Sequence, residues 1–267
     1  PKTLSGKTVT AYVNTHTDLS DELYREGKLV SDNYKNILRS QTNAAAIPAE
    51  VTVRYGVTVR LANQRTLPTG EGLVYYASYR NIDALQETAL DPCEAVAILH
   101  TSTNGYFYYV QAYNYRGWLS KFDVAETDRS TWLRYAEPKN FLTVVAKNYT
   151  LKADGAQVLF QQGARLQLAD KKASAYTVKV PVRTKEGKRQ EDQVALAAIA
   201  SLHECYLPYT TNNIIRSAFK FYDSVYGWGG LQQSVDCSSF ISNAYRTVGI
   251  FLPRNADEEE TRAGIHK

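Results

Sequence analysis

Cys237 is followed by Ser238 and Ser239, preceded by Asp236, and then by Phe240, Ile241, Ala244, Tyr245 and Val248 at helical spacing. An acidic residue before a thiol, small hydroxyl residues after it and an apolar periodicity beyond them place the cysteine on the first turn of a helix. A thiol reacts as the thiolate, and the partial positive charge at a helix N-terminus favours that form. Free backbone N–H groups at the same place are suited to hold an oxyanion when the thiolate attacks a carbonyl. The pattern therefore points to nucleophilic acyl chemistry at Cys237. Such chemistry ordinarily needs a histidine to take the thiol proton and return it to the leaving amine, with a third polar group orienting it.

The flanks of the thiol carry the positioning elements. Asn212 or Asn213 is expected to cap a helix in which Ile214, Ile215, Ala218, Phe219, Tyr222 and Val225 form one face, with Gly227 closing it. The Gly-rich stretch Tyr226-Gly227-Trp228-Gly229-Gly230 then leads to the thiol, and Gly249 ends the helix that the thiol begins. Upstream, residues 51–137 read as short strands at Val51–Val59, Glu94–His100, Gly105–Ala112 and Gly117–Leu119, with Asn104-Gly105 as a hairpin turn. Residues 138–207 read as a second β unit, with strands at Leu142–Val145, Gln157–Phe160, Arg165–Leu168 and Tyr176–Pro181; Val194–Leu202 leans towards helix. Residues 1–50 show helical spacing at Leu19, Leu23, Leu29, Val30, Tyr34, Ile37 and Leu38, with Asp18 or Ser20 as cap, and read as an arm packed on the β units.

Composition bounds the alternatives. The 267 residues are 44% hydrophobic, enough for ordinary cores. A net charge of +4 without a long basic run excludes a nucleic-acid arm, and no apolar run reaches a membrane span of roughly 20 residues. Twenty tyrosines against eight phenylalanines suit half-buried strands or shallow peptide- or carbohydrate-binding grooves. The three cysteines, Cys93, Cys205 and Cys237, leave at least one thiol unpaired; a Cys93–Cys205 bridge stays open at this stage.

Tyr-Gly-Trp-Gly-Gly, Asp236-Cys237-Ser238-Ser239-Phe240 and Gly249-Ile250-Phe251-Leu252-Pro253-Arg254-Asn255 together resemble the NlpC-type family of cysteine peptidases, which act on bacterial cell-wall peptides. The specific match covers about residues 206–260. The strand pair Asn104-Gly105-Tyr106-Phe107-Tyr108-Tyr109-Val110-Gln111 and Gly117-Trp118, and Tyr206-Leu207-Pro208-Tyr209-Thr210 after the second unit, resemble bacterial SH3-like domains. The whole is similar to a branch of γ-D-glutamyl-L-diamino-acid endopeptidases. It implies an α+β multi-domain chain: a helical arm (1–50), two small SH3-like β barrels (51–137 and 138–207) and the first helices of a papain-like thiol peptidase domain (208–267).

The resemblance implies Cys237 as nucleophile, Asp236 facing the substrate to pair with a free L-Ala amine, and Ser238 making polar contacts beside the scissile bond. Tyr226 and Trp228 would shape core and rim rather than react. Arg254 has two readings, a partner for a carboxylate or a solvated surface charge, and the latter is preferred. Tyr106 or Tyr108 would help the barrels narrow the substrate groove. The implied substrate is a peptidoglycan stem peptide with free N-terminal L-Ala, cut at the γ-D-Glu–diamino-acid amide, with no metal or organic cofactor and no nucleic-acid partner. The implied setting is exported, with the signal segment absent from this chain. Two departures stand out. The family carries glycine where this chain has Ser239. The histidine expected some tens of residues beyond the thiol is not matched by His16, His100, His203 or His266, so the site histidine is expected beyond Lys267 and the chain by itself is expected to be inactive. The other readings are a wall-binding module with a degenerate thiol domain and a thiol acyltransferase of related fold.

Overall fold

A computed structural model describes residues 2–15, 18–79 and 81–262. In chain order the elements are β1 (Thr3–Ser5), α1 (Gly6–Asn14), β2 (Tyr24–Arg25), β3 (Lys28–Leu29), α2 (Asp32–Ser40), β4 (Glu50–Thr52), β5 (Arg54–Thr58), β6 (Ala62–Arg65), β7 (Gln86–Leu90), β8 (Ala95–Thr101), β9 (Phe107–Gln111), β10 (Arg116–Ser120), β11 (Val124–Thr127) and α3 (Arg129–Ala136). There follow β12 (Phe141–Val144), β13 (Asn148–Ala153), β14 (Ala156–Gln161), β15 (Arg165–Lys172), β16 (Ala175–Arg183), β17 (Arg189–Ala197), β18 (Leu202–Glu204), α4 (Thr211–Ala218), α5 (Cys237–Arg246) and α6 (Ala256–Arg262).

The first sheet has the order β11-β5-β8-β9-β10-β6-β7, so β7 is an edge strand. The β8–β9 hairpin turns at Asn104-Gly105, as the sequence leads one to expect, with Gly105 at φ 68. The second sheet has the order β17-β16-β15-β12-β18, joined by the β13–β14 hairpin. All strand pairings within these sheets are antiparallel. Val57 and Cys93 of the first unit lie in one apolar cluster with Leu142, Phe160 and Val178 of the second, so the two units share a core across their junction.

Several expectations are corrected. The segment that leaned to helix at 194–202 is the end of β17 and the start of β18: Val194 and Leu196 pair with Val178 and Tyr176, and the alanines between them mask the two-residue alternation. The N-terminal helices are capped by Ser5 and Ser31, not by Asp18 or Ser20; Leu19 and Leu23 instead pack with Leu67, Leu73 and Leu85. Thr210, not Asn212 or Asn213, caps α4, its hydroxyl accepting from the Asn213 N–H. That helix continues into a short 3₁₀ turn at Phe219–Phe221, and Gly227 does not close it. Cys93 and Cys205 are both free thiols.

The two helices around the thiol also invert the expected apolar logic. On α4 and beyond it Ile215, Phe219, Tyr222 and Val225 are exposed, while Ser217 is buried. On α5 the buried residues include Ser238, Ser242, Asn243 and Arg246; Ala244 and Val248 are buried as expected, but Ile241 is 40% exposed. Gly249 follows α5 in the left-handed region at φ 83, and the Ile250 N–H reaches back to the Tyr245 carbonyl.

Candidate thiol site

Asp236 is the N-cap of α5. Its carboxylate accepts from the Ser239 N–H at 2.9 Å, and the Ser239 hydroxyl returns the interaction to the Asp236 N–H at 2.9 Å, a complete capping box. Ser239, the departure from the family pattern, is therefore the residue that closes the cap. Cys237 occupies the first helical position and is exposed. The N–H groups at this turn have no carbonyl one turn back to receive them, so the thiol sits where an anion is favoured.

The loop before the cap is shaped by glycine. Gly229 and Gly230 take φ 56 and φ 79, and a Cβ at either would come within 2.6–2.7 Å of Gln86 or Ala89. Only glycine supplies both the left-handed backbone and the close approach. That approach lays the loop on edge strand β7. Gln86 Nε2 donates to the Gly229 carbonyl at 2.9 Å, and Trp228 Nε1 donates to the carbonyls of Asp83 and Gln86 at 3.0 and 3.1 Å. The Gly229 N–H then donates to Asp236 Oδ2 at 3.0 Å, which joins the loop to the cap.

Arg254 completes the inner side. It is buried, 6% exposed, rather than a solvated surface charge. Its Nη2 lies 2.6 Å from Asp236 Oδ2 and donates to the Glu87 carbonyl at 2.8 Å, and its Nη1 donates to the Ser238 hydroxyl at 2.7 Å. Burial alone would raise the Asp236 carboxyl; the Arg254 charge and the Ser239 donors outweigh it and hold it below its ordinary value. Asp236 and Ser238 are thus brought together, but turned inward. The carboxylate expected to meet a substrate amine is 6% exposed and already receives Gly229, Ser239 and Arg254 donors; the Ser238 hydroxyl is held by Arg254 instead of lining the open side.

On the open side the thiol has one neighbour that the sequence pattern did not mark as a reacting group. The Tyr226 hydroxyl donates to Cys237 Sγ at 4.0 Å. Burial, the thiol and Asp236 all push the Tyr226 phenol above its ordinary value, so it stays a proton donor. Tyr226 and Val235 bracket the glycine loop and form a β-bridge, which returns the tyrosine to the start of α5; in the sequence only its place at the head of the glycine run marks it. One and two helical turns after the thiol, Ile241 and Tyr245 line a cleft of about 830 Å³ together with Tyr113, Phe251 and Glu259. Burial pushes the Glu259 carboxyl up to about 7, with Arg254 opposing. Tyr106, one expected groove residue, stacks on Phe122, and the Tyr108 hydroxyl is bound to Glu126; neither lines this cleft.

His100 Nε2 is 3.0 Å from the Asn43 carbonyl and His203 Nδ1 is 3.4 Å from the Cys205 carbonyl. No histidine hydrogen bond to Cys237 occurs among the described residues; His16 and His266 lie outside them. No helix among the described residues is long and apolar enough to cross a membrane.

An exposed cysteine at a capped helix N-terminus thus rests against the edge of the first antiparallel sheet. Both parts find matches among known proteins. Residues 223–266 match the NlpC/P60 family, and residues 76–120 match the SH3 domain of SH3b1 type. The resemblance to NlpC-type peptidases carrying an SH3-like domain, drawn from the motifs, is borne out. No curated protein matches the chain. Among solved structures, an NlpC/P60 endopeptidase from Photobacterium damselae subsp. piscicida is similar, with 20% identity and a TM-score of 0.73, covering 95% of this chain and 56% of that one. An NlpC/P60 family protein from Bacillus cereus ATCC 10987 has 17% identity and a TM-score of 0.54, covering 68% of this chain and 61% of that one. The chain therefore spans less than two thirds of either structure, and at these identities the likeness is one of fold.

Proposed function

We propose that this chain carries the nucleophile and specificity-bearing parts of an exported cell-wall cysteine peptidase. The Cys237 thiolate attacks the γ-D-Glu–diamino-acid amide of a peptidoglycan stem peptide with free N-terminal L-Ala; the C–N bond breaks, the diamino acid leaves as the amine carrying the proton given up by the thiol, and water hydrolyses the thioester to release the γ-carboxylate and regenerate the thiol. The observation that carries this reading is the exposed Cys237 at the first position of a capped helix with the Tyr226 hydroxyl beside it, in the segment matched by NlpC/P60. The helix N-terminus favours the thiolate and offers N–H donors to the oxyanion, and Tyr226 is placed to add a third. We assign Asp236 a positioning role through its cap and its Arg254 pair. By the same reading the N-terminal helices form an arm, and the second β unit is a second SH3-like unit.

The described histidines are engaged elsewhere, which favours a second reading: a wall-binding module whose thiol half does not turn over. Incubation with L-Ala-γ-D-Glu-diamino-acid tripeptide separates the two. Release of L-Ala-γ-D-Glu that disappears in Cys237→Ala supports the peptidase. Saturable binding without release supports the module, and transfer to an added amine in place of water would point to an acyltransferase.

A further inference from the structure

A second cavity, of about 270 Å³, lies where the N-terminal segment, the first sheet and α3 meet. Its walls are apolar and aromatic, formed by Leu99, Tyr12, Tyr55 and Trp132, and Arg116 and Arg129 stand at it. The rings are fixed in place. Tyr55 and Trp132 pack with centroids 5.3 Å apart, and Trp132 Nε1 donates to the Val96 carbonyl at 3.1 Å. The Arg116 guanidinium lies 3.9 Å over the Tyr12 ring, which holds it at the cavity without a carboxylate ion pair among the described residues.

The two cations are unusual for this sheet. Arg54, Arg60 and Arg65, on or beside neighbouring strands, each pair with a carboxylate: Glu126, Asp123 and Asp83. Among the described residues neither Arg116 nor Arg129 has an ion pair: Arg116 donates to the neutral Gln111 amide at 3.3 Å and lies over the Tyr12 ring. Two guanidiniums without carboxylates at the edge of an apolar pocket complement an anion that has an apolar body. The volume falls just under the roughly 300–1,000 Å³ of sites for drug-sized ligands, so the fitting body is one or two small residues.

We propose that this cavity binds the C-terminal carboxylate of a short peptide ending in small apolar residues, with Arg116 and Arg129 holding the carboxylate and Tyr12, Tyr55 and Trp132 enclosing the side chains. The site is separate from the thiol, and its test does not depend on turnover. Trp132 lines the pocket, so tryptophan fluorescence follows occupancy, with Trp132→Phe assigning the signal among the three tryptophans. Titration with acetyl-Ala-Ala is expected to saturate with a Kd below about 1 mM, and the C-terminal amide of the same peptide to bind at least about tenfold more weakly. Arg129→Gln and Arg116→Gln are each expected to weaken the carboxylate form about tenfold and leave the amide unchanged, with the rate of Cys237 alkylation as in the parent. Both arginines are exposed, and a melting curve matching the parent's checks each variant's fold; Arg129→Gln alone decides if the other fails that check. Equal affinity for acid and amide, an unaltered Arg129→Gln titration, no saturation by about 10 mM, or inorganic phosphate binding as tightly as the peptide would each overturn the proposal.

Discussion

The two β units touch the thiol region in different ways. The first reaches the thiol loop itself, through charge and backbone carbonyls: Gln86 on Gly229, Asp83 and Gln86 on Trp228, the Glu87 carbonyl on Arg254, and Asp91 with Glu94 on Arg246. The second reaches the far end of that loop and the segments before it with neutral or half-exposed contacts: Asn148 on the Gln233 carbonyl, Gln162 on the Ser217 carbonyl, and Lys147 on Ser224. The contrast ties the glycine turn and the cap before Cys237 to one edge strand, β7, and α4 with the far end of the loop to the other unit. Of the two units, the first holds, through Gly229 and Arg254, the cap residue Asp236 that precedes the thiol.

The largest expected break in that contrast is Arg254→Ala. It leaves Asp236 buried without its cation, and loss of one partner of a buried pair costs about 3–5 kcal/mol. Chemical denaturation of the variant measures it. The pH dependence has a definite sign. The folded Asp236 carboxyl lies below its ordinary value, so the pair's contribution is complete above about pH 4 and is lost as the pH falls through the folded value. The stability gap between parent and Arg254→Ala should therefore shrink on acidification; a gap that widens below about pH 4 contradicts the assignment.

Gln86→Leu is the intermediate case. It removes the donor to the Gly229 carbonyl, with an expected loss of about 1 kcal/mol and an altered rate of Cys237 alkylation by iodoacetamide. Unchanged alkylation would mean that β7 supports the loop without setting the thiol's reactivity. The smallest effect is expected from Lys147→Ala, which ends the contact with Ser224 in the second unit. A stability loss of about 0.5–1 kcal/mol with the parent's alkylation rate fits the contrast, and a slowed thiol would blur it.

How much of this was written in the sequence depends on the kind of signal. The hairpin at Asn104-Gly105 and the helix beginning at Cys237 were legible because both rest on local chemistry: a left-handed turn residue and a cap. The pairing of Asp236 with Arg254 was not. Nothing local to a carboxylate beside a thiol shows that Arg254, 18 residues further on, folds back against it. The apolar faces of α4 and α5 misled for a related reason. Periodicity reports which residues are apolar, whereas Ser217 and Arg246 are buried by partners distant in the chain: Thr247 for the first, and Asp91 and Glu94 for the second. The strand at 189–197 was hidden because its small alanines weaken an alternation that only pairing with β16 makes plain.

Arg246 carries a last consequence. Its guanidinium, with a side chain 4% exposed, is shared between Asp91 and Glu94, whose side chains are 1% and 5% exposed, more than 150 residues earlier in the chain. The thiol helix and the first sheet are therefore not separable parts. Moving the thiol segment to another scaffold, or replacing the sheet beneath it, would strand a buried cation, and replacing the thiol segment would strand two buried anions. Any lineage that recombines these pieces must inherit all three residues together, which makes the junction, rather than either neighbour, the heritable unit.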